Sequence, residues 1–207
     1  KLKPGRVAYV IWCDEDGNVI DDGTVFRLAD NSFRLCCQEP QFAWLEDVAW
    51  GFDVAIRDVS REIAALALQG PTSAALLRAL AVKEVERLKP FDFATVRIGR
   101  KKVELSRTGF TGDLGYELWM KPEDAGTVWD ALLLAGNQYG LRVIGYEALE
   151  MARIEAGFLL PKTDFLSSRT ALRPDRTSTP FELGLEGMVA FDKPHFNGRR
   201  ALLGLAG

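Results

Sequence analysis

Hydrophobic and polar positions alternate along the first quarter of the chain, which is the pattern of half-buried β-strands. Residues 6–12 (RVAYVIW) predict a strand, and the Asp-Gly turn signal that follows leads into an extended segment at 19–29. A further strand is predicted at 32–37, so the chain begins as a β-meander. Helical spacing at 40–50 and renewed alternation at 52–58 predict a short helix and another strand.

Beyond residue 60, short clusters of predicted strands and helices alternate. This pattern predicts an α+β fold with largely antiparallel sheet and flanking helices. The polar, proline-containing stretch 161–179 predicts a long loop or a crossing between subdomains. The other predicted elements are an apolar run at 63–69, strands at 93–98 and 102–107, helices at 73–81, 123–138 and 144–157, an extended segment at 181–191 and a helix starting near 196.

Composition narrows the class of protein. Hydrophobic residues make up 47% and charged residues 27% of the 207 residues, which is the balance of an ordinary soluble globular protein. The net charge of -3 gives no electrostatic reason to expect nucleic acid or a membrane surface as a partner. The first residues contain neither a start Met nor a signal peptide, and the final ALLGLAG is abrupt, so we expect residues missing at both ends.

Cysteine and histidine are scarce. The three cysteines are Cys13, Cys36 and Cys37, an odd number with no C-x-x-C pair, so neither a disulfide framework nor a metal site is expected. A reducing, cytoplasmic setting fits this usage. His195 is the only histidine and lies in a polar turn, which argues against Ser-His-Asp or Cys-His catalysis.

The adjacent acids Asp21 and Asp22 lie in a predicted strand. Neighbouring side chains of a strand point to opposite faces, so one of the two carboxylates must face the core side. A carboxylate there needs a partner, a ligand or a raised pKa. The alternative is a turn in which both acids are solvated, and spacing alone favours this alternative somewhat.

A second candidate is the segment SRTGFTGDLGYELW at residues 106–119, where three glycines interrupt a strand-like pattern. Glycines at this density allow tight turns or the close approach of a ligand to the backbone. Glu117 lies between aromatic residues, where a carboxylate could accept two parallel N–H bonds from an aminopyrimidine edge. The alternative is a hairpin with an exposed glutamate, and spacing alone favours it.

Other polar and aromatic positions have ordinary structural explanations. The segment 147–157 has the spacing of a salt-bridged helix. Most of the aromatic residues are expected in the core, although some of them could flank a flat heterocycle.

The order of these motifs resembles the glycine cleavage T-protein (aminomethyltransferase) family from about residue 6 to residue 203. The matching segments are YVIWCDEDGNVIDDGTVFRL with the paired aspartates, LALQGPTSAALL, SRTGFTGDLGYELW, ARIEAG and PFELGLEGMVAFDKPHFNGRRAL. The glycine segment and the last segment are the most specific, because they are long and occur in the expected order.

This resemblance implies a tetrahydrofolate-dependent one-carbon transferase with a cloverleaf of subdomains. It implies that Asp22 is the catalytic acid near the reactive nitrogens of the folate. It implies that Glu117 holds the aminopyrimidine edge of the pterin. Aromatic contacts are expected from Tyr9, Phe110 and Tyr116, and no metal is expected.

The chain departs from the family pattern at several positions. Phe110 replaces the commoner tyrosine, and Leu149 stands where many members carry an arginine that contacts the folate tail. The segment CCQEPQ (residues 36–41) replaces an asparagine-containing segment of the family. Within CCQEPQ, Gln38 is the nearest polar substitute for that asparagine in folate binding. The scaffold and the folate are therefore better indicated than the one-carbon donor.

The donor that the resemblance implies is an aminomethyl group on a lipoyl carrier protein. The alternatives are demethylation of a methylated S-, O- or N-donor, and a folate-binding regulatory or assembly protein without turnover. By resemblance, residues 1–60 and 162–207 form one ferredoxin-like subdomain that carries the aspartate pair. Residues 61–161 form the folate-binding subdomain. An N-terminal segment and a C-terminal domain of the family are expected to be absent.

Overall fold

The computed structural model of the protein describes residues 1–206, and the chain divides into two compact units. Unit 1 comprises Lys1–Val7, Leu28–Asp30 and Phe42–Phe158. Unit 2 comprises Ala8–Arg27, Asn31–Gln41 and the chain from Leu159 onward. Among the described residues, no helix is both long enough and apolar enough to span a bilayer.

The division differs in several segments from the one expected from the sequence. Residues 1–7, 28–30 and 42–60 were expected in the subdomain of the aspartate pair, but they belong to unit 1, and residues 159–161 belong to unit 2. The functional roles assigned to the two subdomains, and the ferredoxin-like form of one of them, stay predictions.

The elements of unit 1 are α1 (Phe42–Val48), β4 (Ala64–Gln69), α2 (Ser73–Ala79), β5 (Phe93–Ile98), β6 (Lys101–Ser106), β7 (Gly115–Met120), α3 (Pro122–Gly136) and α4 (Tyr146–Glu155). The strands form a four-stranded sheet in the order β4-β7-β6-β5, and all three pairings are antiparallel. Two helices, α2 and α3, contact the sheet and cover one face of it. The predicted α+β class with antiparallel sheet is confirmed.

Strand alternation gives the four-stranded sheet one apolar and one polar face. On β7, Tyr116, Leu118 and Met120 are buried in the core under the helices. Glu117 and Trp119 alternate with them and point to the other face. The register places the small residues Ala67 and Ala65 of β4 opposite Glu117 and Trp119. The second face therefore combines a carboxylate and an indole with small neighbours.

Unit 2 contains most of the strands β1 (Val7–Cys13), β2 (Val19–Ala29) and β3 (Ser32–Cys36), together with the helix α5 (Arg199–Leu205). The three strands form a sheet in the order β1-β2-β3. The separate core of this unit includes Cys13, Val19, Phe165 and Leu202. The long segment before the last helix is largely irregular, as its polar composition predicts.

Two predicted extended segments do not form strands. Residues 52–58 alternate correctly but pair with no strand of the described chain, and Phe52 and Val54 remain 71% and 61% exposed. Residues 181–191 fold into consecutive turns, since Gly184 adopts a φ of +69° and the Leu185 amide donates to the Pro180 carbonyl. Alternation alone does not make a strand where no partner edge exists or where glycine favours a turn.

Candidate functional site

The aspartate pair lies in β2, where the two carboxylates have different environments. Asp21 is completely buried, whereas Asp22 is half-buried. Each oxygen of Asp21 accepts a hydrogen bond, Oδ1 from the Asp22 backbone N–H at 2.9 Å and Oδ2 from Gln41 Nε2 at 2.8 Å. The solvated-turn interpretation is therefore wrong, and the core-facing member of the pair is Asp21.

Asp22 is held by a tyrosine of the neighbouring strand. The Tyr9 hydroxyl donates to Asp22 Oδ2 at 2.7 Å. Burial raises the pKa of Asp22, and the charge of Asp21 raises it further, while the Tyr9 hydrogen bond acts in the opposite direction. Burial also raises the pKa of Tyr9, so the phenol stays a neutral donor. Both residues were expected in the site, and the structure shows that they form one hydrogen-bonded pair.

The end of β3 lies close to Gly23, the residue that follows the aspartate pair. A Cβ at Gly23 would lie 2.3 Å from the Cys36 carbonyl oxygen, so only glycine allows this approach.

Gln38, the expected polar substitute, is exposed, and the glutamine that reaches the pair is Gln41. Sequence reasoning missed Gln41 because it lies 20 positions from Asp21. A signal was nevertheless present, since a buried carboxylate requires a donor.

Unit 1 carries the second cluster, on the polar face of the four-stranded sheet. The Thr108 hydroxyl donates to Glu117 Oε2, and it lies 2.7 Å from Ser106 Oγ. The indole Nε1 of Trp119 donates to Ser106 Oγ at 3.1 Å. This chain of hydrogen bonds fixes the Glu117 carboxylate in one orientation on the sheet.

The glycine segment between β6 and β7 is held from beneath by Gln69. Gln69 Nε2 donates to the Tyr116 carbonyl at 3.0 Å and to the Thr108 carbonyl at 3.3 Å. A Cβ at Gly109 or Gly115 would lie only 2.0 or 1.8 Å from Gln69 Oε1. These two glycines therefore admit a side chain of the protein itself. The glycines were expected to allow tight turns or the close approach of a ligand, whereas the group that approaches two of them is the Gln69 side chain.

The tip of the same segment contacts the end of helix α4. Phe110 stacks on Phe158 with ring centroids 5.5 Å apart and an angle of 12° between the planes. The buried Arg153 donates to the Phe158 carbonyl at 3.1 Å and to Glu150 Oε2 at 2.8 Å. One face of Phe110 is thus occupied by Phe158, and the turn that carries Phe158 is anchored by a buried ion pair.

Tyr116 does not belong with this cluster. It was expected beside the folate, but it is 2% exposed and lies in the hydrophobic core. Because successive strand residues point to opposite faces, Tyr116 and Glu117 cannot share one face of the sheet. The two side chains therefore do not line one binding surface.

The chain thus has two groups of residues that could take part in ligand binding or catalysis, one in each unit. Tyr9 and Asp22 supply a half-buried carboxylate with a phenol donor. Glu117 supplies an oriented acceptor, with Phe110 in the neighbouring loop. Among the described residues, no group of three or more histidine, cysteine or acidic side chains is arranged to hold a metal ion.

Comparisons with known proteins agree on one family. The model of the GCVT N-terminal domain matches residues 1–193. The aminomethyltransferase of Halothermothrix orenii is 36% identical over 98% of this chain and 55% of its own length. The aminomethyltransferase of Geobacillus thermodenitrificans is 37% identical over 98% of this chain and 54% of its own length.

A solved structure extends the comparison to the fold. The glycine cleavage system aminomethyltransferase T of Bartonella henselae matches with a TM-score of 0.80 at 26% identity, over 99% of this chain and 54% of that one. The chain spans about half the length of the curated relatives that it matches. These findings confirm the family that the motifs indicate. The chain belongs to the glycine cleavage T-protein family, in which it corresponds to the GCVT N-terminal domain.

Proposed function

We propose that the chain is part of a tetrahydrofolate-dependent one-carbon transferase of the aminomethyltransferase type. The observation that carries the proposal is the Glu117 carboxylate, held by Thr108 on the polar face of an antiparallel sheet. This arrangement occurs in a chain whose relatives are named aminomethyltransferases.

Recognition of the pterin is assigned to Glu117 and Phe110. A reduced pterin presents adjacent N–H donors on its aminopyrimidine edge, and a fixed carboxylate accepts two parallel bonds from such an edge. The residues present fit this group, since exposed Ala65 and Ala67 leave room beside Glu117 for a flat ring. Phe110 has one ring face against Phe158, so a single aromatic face remains for stacking.

The chemical step is assigned to Asp22, with Tyr9 as its partner. A carboxylate near the reactive nitrogens can orient the nucleophile and stabilise the positive charge that develops during one-carbon transfer. The Tyr9 hydrogen bond fixes the carboxylate for this role. On this account, the rate comes from orientation and electrostatics, without a covalent enzyme intermediate.

The proposed donor is an aminomethyl group on a lipoyl carrier protein, and ammonia is the second product. A methylated donor on the same scaffold is the second candidate. It is favoured by the departures at Phe110 and Leu149, where this chain has apolar side chains in place of the commoner polar ones. A folate-binding protein without turnover is the third candidate, and the Tyr9–Asp22 pair argues against it.

Folate recognition is tested by calorimetric titration with tetrahydrofolate. Glu117→Gln keeps the size of the side chain but removes one acceptor and the charge, so we expect at least tenfold weaker binding, equal to about 1.4 kcal/mol. The matched control is Glu123→Gln, an exposed position in the first turn of α3, which should bind as tightly as the unaltered protein. Equal affinity for all three proteins would remove Glu117 from the pocket.

The catalytic role is tested by turnover of the full-length protein. Asp22→Asn should cut kcat strongly while leaving the melting temperature nearly unchanged, because Asn retains an acceptor for the Tyr9 hydroxyl. Asp16→Asn makes the same charge change at an exposed turn position and should leave turnover unaltered. Unchanged turnover in Asp22→Asn would exclude the assigned role.

A further inference from the structure

Asp21 is a buried carboxylate that stability alone does not explain. It is 0% exposed, and its two oxygens are satisfied by the Asp22 amide and by Gln41. Removing a carboxylate from water costs free energy that such hydrogen bonds only partly return, so an apolar residue of similar volume is often as stable. Its presence next to Asp22 requires another reason.

Asp21 and Asp22 are coupled in two ways. The Asp22 backbone N–H donates to Asp21 Oδ1 at 2.9 Å, which fixes the peptide from which the Asp22 side chain projects. The two carboxylates are also on consecutive residues, so the charge on one opposes ionisation of the other. Gln41 holds the second oxygen of Asp21 and thereby keeps its carboxylate in place.

We infer that Asp21, held by Gln41, is a positioning residue for Asp22, and that it sets both the orientation and the charge state of that carboxylate. The inference deepens the proposed function, because it rests on the assignment of Asp22 to the chemical step. It assigns no contact with the substrate to Asp21 or Gln41.

The other ionisable groups around the pair do not set the charge state of Asp22 in the way that Asp21 does. Tyr9 from β1 and Cys37 after β3 remain neutral, since burial raises the pKa of Tyr9 and raises that of Cys37 to about 12. The charge of Glu39 raises the pKa of Asp21, and a backbone hydrogen bond from Glu39 lowers it. The Glu39 carboxylate is paired with Lys162. The buried aspartate is therefore the neighbouring carboxylate whose ionisation is coupled to that of Asp22.

The test is a carbon-detected NMR titration of the aspartate carboxyls. In the unaltered chain the pair should titrate in two coupled steps. In Asp21→Asn, Asp22 should titrate in one step at lower pH, because the opposing charge is gone while an acceptor for the Asp22 amide remains. Asp16→Asn, an exposed change of the same charge, should leave both steps in place.

Folding of the variant is not a confounding factor. Asn at position 21 would turn an N–H group toward Gln41 Nε2, but Gln41 can rotate its amide by half a turn and accept that bond. Gln41→Leu provides an independent variant. It removes a donor to the charged form of Asp21, so the step that belongs to Asp21 should move to higher pH. An unchanged Asp22 titration in Asp21→Asn would overturn the inference, as would an unchanged Asp21 step in Gln41→Leu.

A turnover measurement on the full-length protein separates this inference from the proposed function. The acid limb of kcat/KM should move to lower pH in Asp21→Asn, in the direction of the Asp22 titration. A shifted titration without any folate turnover would refute the proposed function and leave the coupling standing. Turnover with an unshifted acid limb and titration would refute the positioning role alone.

Discussion

Gly115 offers the sharpest test of how the glycine segment is built. A Cβ at this position would lie 1.8 Å from Gln69 Oε1 and 2.3 Å from Gln69 Cδ, and the glycine itself is buried. Gly115→Ala must therefore displace the Gln69 carboxamide. Its hydrogen bonds to the Tyr116 and Thr108 carbonyls, and the one from the Thr111 hydroxyl, would be lost together.

The expected loss of stability follows from these contacts. A net contribution of about 0.5 to 1.5 kcal/mol is typical of one hydrogen bond, and two of the three bonds are long at 3.3 Å. Forcing an additional methyl group into a packed site adds about 1 to 3 kcal/mol. We therefore expect Gly115→Ala to lower the free energy of unfolding by about 3 kcal/mol.

The assay is urea denaturation followed by far-UV circular dichroism. The matched control is Gly126→Ala in α3, where a Cβ meets nothing within 4 Å, and this variant should gain about 1 kcal/mol from helix propensity. In a Gln69→Ala background the obstacle is removed, so Gly115→Ala should cost less than about 1 kcal/mol. An equal cost with and without Gln69 would refute this account of the glycine segment.

Two further predictions concern buried charges. Arg153→Met leaves Glu150 and the Phe158 carbonyl without this donor, so it should cost about 3 kcal/mol in urea denaturation. The exposed Arg87→Met should cost less than about 1 kcal/mol, and similar costs for both changes would contradict the argument. Burial raises the pKa of Asp21 above its ordinary 3.8, so its contribution to stability is greatest below that value and is lost as pH rises through the folded-state pKa. Melting temperatures of Asp21→Asn should therefore rise relative to the unaltered protein as pH increases, and the opposite trend would show that ionised Asp21 stabilises the fold.

Local patterns predicted most of the fold because half-buried strands and helices have hydrophobic residues at characteristic spacings. Period-two alternation and turn signals located β1, β2 and β3, and helical spacing located α3 and α4. The same alternation failed at 52–58, because a strand also requires a neighbouring edge that the local sequence does not describe.

The candidate site was less predictable because its contacts are distant in sequence. Strand geometry showed that one acid of the pair had to face the core, but it could not identify Asp21 or its donor Gln41. Gln69 contacts the Tyr116 carbonyl across 47 positions, and no short pattern marks such a pair. Tyr116 is the opposite case, because a local pattern was sufficient there. It alternates with Glu117 along β7, and this alternation alone predicts that Tyr116 lies in the core.

The most direct test of the central claim is a mass measurement of the folate product. Full-length protein is incubated with tetrahydrofolate and either an aminomethyl-lipoyl carrier protein or methylated S-, O- and N-donors. The account predicts methylene-tetrahydrofolate with the carrier-bound donor, while methyl-tetrahydrofolate from a methylated compound would support the second candidate. Unaltered tetrahydrofolate with every donor, in a protein that also shows no heat of folate binding, would contradict the claim.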